Sequence, residues 1–236
     1  MRAIAGAIAF AAAALAVSAA PASAKTNECN GLQTCVPVAG PWVVVPIAGG
    51  TSRPHAEYQL SCPTGFVVGG IDVEISALAI DVAFLGRSGS PVNPGITTER
   101  AAVFVATYVG TGTAVASFRP HLGCIPASGG GARVPTVVRA FPVGKPVVRR
   151  SRDVALIAGR RQVIARGCAA GERLVGTSSA VGFYTSTPPP QRLVGAVALG
   201  TRTVRSGKAQ VVIRTARALR GVRAVVQLGA VCAGGR

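Results

Sequence analysis

Three carboxylates sit close together in the first half of the chain, Asp72, Glu74 and Asp81. Glycoside hydrolysis is built on such acidic pairs, and two carboxylates two residues apart on a strand point the same way. The alternation fits equally well a solvated strand face whose other side is Ile71, Val73 and Ile75, and that is the expectation adopted. Both histidines, His55 and His121, stand in the local sequence Arg-Pro-His. With Glu57 or Asp72 they have metal-ligating chemistry, but their spacing fits no recognised ligand pattern. They are expected as loop histidines. Ser88-Gly89-Ser90 and Ser178-Ser179 lie in no Gly-x-Ser-x-Gly elbow. Gly129-Gly130-Gly131 lacks the Gly-Lys-Ser/Thr ending of a phosphate loop. No catalytic, metal or cofactor set emerges, so the chain is expected not to be an enzyme. A hydrolase using Asp72, Glu74 and Asp81 remains an alternative.

The charge carries more information. The chain has a formal net charge of +17, almost all of it arginine. From Lys25 to Pro126 five basic residues face six acidic ones, whereas from Ala127 onward 19 basic residues face only Asp153 and Glu172. A base-composition bias would have touched both halves. The runs that stand out are Arg149-Arg150-Ser151-Arg152, Arg160-Arg161, and Arg214, Arg217, Arg220 and Arg223 at spacing three. Guanidinium forks match phosphate and carboxylate, and a clustered positive field attracts polyanions. The second half holds only Phe141, Phe183 and Tyr184 as aromatics, too few for base stacking, so sequence-specific nucleic-acid recognition is not expected.

The elements that must position these side chains are strands. Apolar residues recur with period two at Ile71/Val73/Ile75, Ile80/Val82/Phe84, Val211/Ile213/Thr215 and Val226/Leu228/Ala230/Cys232. Gly- and Pro-rich breaks separate them, at 86–95, 110–112, 185–191 and 206–207. The expected class is all-β, as two tandem disulfide-closed β-sandwich-like repeats. Residues 1–24 read as a signal peptide: Arg2, an apolar run, then Ala22-Ser23-Ala24. The expected order is 1–24 leader, 25–126 N-terminal β-domain, 127–132 glycine-rich linker and 133–236 basic C-terminal β-domain. A secreted or cell-envelope location follows. Six cysteines in an exported chain are expected as disulfides. Strand parity turns Leu60 and Cys62 the same way, as it does Leu122 and Cys124. The expected pairs are therefore Cys29–Cys35, Cys62–Cys124 and Cys168–Cys232. Arg166 shares parity with Cys168, which calls for a bulge or an exposed strand end.

Cys62-Pro63-Thr64-Gly65 followed by Gly69-Gly70, and the closing Ala230-Val231-Cys232-Ala233, resemble a repeat of secreted bacterial proteins, especially actinobacterial ones. The resemblance spans about 60 residues in each half. It implies a disulfide-closed β-module and brings no activity, substrate or cofactor. The second copy has Ala169 for the proline and a single Gly176. An immunoglobulin topology is disfavoured, because the one tryptophan, Trp42, precedes Cys62 and Leu122 stands where a tyrosine is expected.

The functional expectation is a non-catalytic module whose C-terminal half contacts an acidic wall polymer, an anionic polysaccharide or a membrane surface. A structural or protein-interaction module with incidental charge is the other non-catalytic alternative.

Overall fold

The computed structural model describes residues 26–47, 54–86, 100–112, 115–127 and 147–234. The leader 1–24 and residues 128–132 of the glycine-rich linker lie outside them. The chain is all-β. In its first half the strands are β1 (Val36–Ala39), β2 (Trp42–Val45), β3 (His55–Ser61), β4 (Phe66–Ile75), β5 (Ile80–Gly86), β6 (Ala101–Tyr108) and β7 (Ala116–Pro126). The second half holds β8 (Val147–Ala155), β9 (Arg161–Gly167), β10 (Glu172–Phe183), β11 (Val197–Leu199), β12 (Thr203–Arg205), β13 (Lys208–Thr215) and β14 (Ala224–Gly234). One α-helical turn, Gln191–Val194, follows the proline run.

Seven strands form a central antiparallel sheet. β7 carries β4 on one side; on the other, β1 and β2 lie end to end along it. They are parted at Gly40, whose N–H donates to the Pro120 carbonyl at 2.8 Å. β2 then pairs with β10 at Trp42↔Phe183 and Val43↔Gly182, and β14 and β8 complete the sheet. Each half adds an outer sheet, β3-β6-β5 in the first and β9-β13-β11/β12 in the second.

The two outer sheets lie on opposite faces of the central one. Val43 and Val45 join the core made with Tyr58, Phe104 and Phe118. Val44, pointing the other way, packs on the core made with Phe183, Val211, Ile213 and Leu228. Alternation along β2 thus feeds both cores. β14 is covered on both faces, and every residue from Ala224 to Ala230 is buried.

The two halves share pairings as well as spacing. β4 pairs β7 with a bulge between Val68 and Gly70, next to the position opposite Cys124. β10 pairs β14 with a bulge between Leu174 and Gly176, next to the position opposite Cys232. The disulfides are Cys29–Cys35, Cys62–Cys124 and Cys168–Cys232, with no free cysteine. Arg166 is accommodated at the sheet margin, half-buried, its Nε donating to the Arg150 carbonyl at 3.4 Å.

The first half alone receives the loop closed by Cys29–Cys35. A side chain at Gly70 or Gly123 would collide with the Glu28 carbonyl, so both must be glycine for the loop to seat. The corresponding pair in the second half is Gly176 and Val231, where the bulkier residue is tolerated.

A polar joint ties the halves together. Gln227 is 4% exposed; its Oε1 accepts from the Gln59 N–H at 2.6 Å and its Nε2 donates to the Gln59 carbonyl at 2.9 Å. The amide thereby pairs the open edge of β3 as a neighbouring strand would. Gln227 Nε2 also donates to Asp153 at 2.8 Å, and the Tyr58 hydroxyl donates to the other Asp153 oxygen at 3.2 Å. Burial, reinforced by Asp153, pushes the Tyr58 hydroxyl pKa far above its ordinary value.

Candidate functional site

The basic residues singled out by sequence fall into two groups. On β8 the alternation sends neighbouring arginines to opposite faces. Arg149 is ion-paired with Glu57 of β3. Arg150 grips Glu172 in a fork, with Nε 2.8 Å from Oε2 and a second contact from Nη2 to Oε1. Arg152 is exposed on one wall of a cleft of about 250 Å³ shared with Val154, Gln162 and Ile164. Arg223 lies over the Tyr184 ring, 4.2 Å from its centroid, a cation–π contact.

The Arg150 fork and the Ala169 N–H together hold the Glu172 carboxyl down to about 2. Because that pKa lies below the ordinary carboxylate range, the bridge's stabilisation is complete above that range and is lost as pH falls through about 2. A Glu172→Gln variant is therefore expected to be less stable than the native chain near about pH 6 and to converge with it toward about pH 2. Thermal unfolding across that range checks this; a gap of constant size would count against the bridge.

The second group gathers at one end of the sheet formed by β9, β13, β11 and β12, with Arg161 and Arg214 on its outer face. Arg161 stands directly opposite Arg214. Arg160 and Arg217 flank the pair on the adjoining turns, and all four are exposed. Thr215 fixes this corner: its hydroxyl donates to the Ile157 carbonyl and accepts from the Arg160 N–H at 3.1 Å, while its own N–H donates to the Arg160 carbonyl at 3.0 Å. Arg220 is exposed just beyond the short 3₁₀ turn Arg217–Leu219. Spacing three along 214–223 therefore reflects a strand end and a turn, and only Arg214 and Arg217 of that series join the cluster.

Sequence reading missed Arg205 and Lys208, which pair at the opposite end of the same face. Ser206 (φ 50°) and Gly207 (φ 69°) form the two-residue turn between them, the positive-φ pair that tight hairpins require. The turn at 206–207 was read from the sequence, but the two basic residues that flank it were not singled out.

Among the described residues no carboxylate answers these charges. Asp153 and Glu172 are the only acidic residues after Ala127, and both are engaged, with Tyr58/Gln227 and with Arg150. Among the described residues, Arg160, Arg161, Arg214 and Arg217 have no ion-pair partner.

The carboxylates of the first half do not converge. Asp72 accepts from the Asn27 and Val73 N–H groups, at 2.6 and 2.8 Å. Glu74 lies 3.8 Å from Arg119 and 3.7 Å from His121. Asp81 is exposed on β5, in a different sheet. The β4 face expected to be solvated is partly covered, and Asp72 and Glu74 are half-buried. His121 likewise is no loop residue. It sits in β7, 5% exposed, with Nδ1 3.7 Å from Glu28 and Nε2 facing Glu74. The residues preceding Cys29 cover this face, which no strand periodicity could announce. His55 opens β3 and contacts Glu57 at 3.2 Å, on the other side of the central sheet from His121.

No family model, curated protein or solved structure matches the chain.

Proposed function

We propose that this protein is an exported, non-catalytic β-module that uses its second half to hold an anionic polymer or surface. The leader-like start and three disulfides fit an oxidising compartment outside the cell. The two halves are read as copies of one module, the first closed by the N-terminal disulfide loop and the second turned to ligand contact. One observation carries the reading: Arg161 directly opposite Arg214 on an exposed face where, among the described residues, neither has a carboxylate partner. Like charges facing across strands destabilise a sheet by several tenths of a kcal/mol, roughly. An anion bridging both guanidiniums removes that repulsion and uses their forked donors.

The test is retention of the full mature chain on heparin at about 0.15 M salt. Retention is expected, with Arg161→Gln/Arg214→Gln eluting at clearly lower salt. Passage of the native chain without delay would remove the reading.

A further inference from the structure

The basic face is not basic throughout. Along the β9–β13 ladder its outward pairs run Arg161/Arg214, Val163/Val212, Ala165/Gln210 and Gly167/Lys208, the last with Arg205 alongside. Two cationic rows, six residues apart and so about 20 Å along the strand, enclose the valine pair Val163/Val212 and, beside it, Ala165/Gln210. Val163 is 49% exposed there.

We infer that the ligand of this face is an anionic lipid surface, a step that rests on the reading above. A soluble polyanion offers charge along its whole length and has nothing to place against Val163 and Val212. A bilayer surface meets both parts of the pattern, its acidic headgroups opposite the guanidiniums and its acyl boundary against the valines. Thr215 pins the corner that carries Arg161 and Arg214, so the cationic end of the face is held in place beside the valine pair.

The experiment is flotation of the full mature chain with vesicles of phosphatidylcholine alone and of phosphatidylcholine mixed with phosphatidylglycerol, in parallel with heparin retention. Binding is expected to the mixed vesicles only. Val163→Ser/Val212→Ser is expected to weaken vesicle partition roughly tenfold while leaving heparin elution unchanged. Both positions face outward, so an unchanged thermal transition verifies folding. Heparin retention without vesicle binding, or vesicle binding indifferent to the valines, overturns the lipid assignment and leaves the polymer reading in place. Failure to bind either probe removes the earlier reading itself.

Discussion

Replacing Cys62 and Cys124 by alanine is expected to lower the unfolding free energy by about 4 kcal/mol, the loop-closure value for a crosslink of this span. The bridge joins positions 62 residues apart, and both cysteines are buried, at 2% and 0% exposure. It pins the end of β3, in the outer sheet, to β7, in the central sheet, and so fixes one layer against the other. Loss of the buried sulfurs adds a packing penalty on top of the released chain entropy. The Cys29–Cys35 bridge spans only six positions, and its removal is expected to cost about 2 kcal/mol by the same relation. Urea unfolding of the two double variants gives the comparison. If the short bridge proved the costlier, loop closure would not be what these disulfides contribute.

The features read correctly from sequence are those governed by local alternation and spacing. Val211, Ile213 and Thr215 share parity and all three are buried; Val226, Leu228, Ala230 and Cys232 do the same on β14. The parity of Leu60/Cys62 and Leu122/Cys124 pointed to the Cys62–Cys124 bridge that forms. What alternation cannot show is a second layer. Val225 and Gln227 occupy the opposite parity of β14 and would face water in a two-layer sandwich. Gln227 is buried because β3 of the other half lies over it, a contact between residues 168 positions apart. At the end of an outer strand the rule fails the other way. Phe84 shares parity with the buried Ile80 yet is 45% exposed, held edge-on to Phe104 with centroids 5.3 Å apart.

Charge was legible as an amount and misleading as a location. Arg149-Arg150-Ser151-Arg152 reads as one basic patch, but the pleat divides it between two faces and two of its arginines meet carboxylates. The unpaired cluster instead combines Arg160 and Arg161 with Arg214 and Arg217, more than 50 residues later, across the β9–β13 ladder. Strand pairing, a long-range property, decides which charges add.

The second large effect is expected at Gln227. Its amide satisfies both the N–H and the carbonyl of Gln59 and donates to Asp153, all from a 4%-exposed position. Leucine at this position fills a similar volume but leaves two backbone groups of β3 without partners beneath the second half. Each such orphaned group costs about 1–3 kcal/mol, so Gln227→Leu is expected to lose about 2–4 kcal/mol. Glutamate does no better, because a carboxylate there would confront both the Gln59 carbonyl and Asp153. The signature is local as well as global: the Gln59 amide should exchange with solvent hydrogen much faster in the leucine variant, while amides within the β9–β13 ladder keep their protection. A variant with native denaturation midpoint and a still-protected Gln59 amide would mean that the edge of β3 is closed by something other than this side chain. Because the same residue faces Ala180 on β10 and Asp153 on β8, its loss loosens the central sheet on which the basic outer layer is mounted.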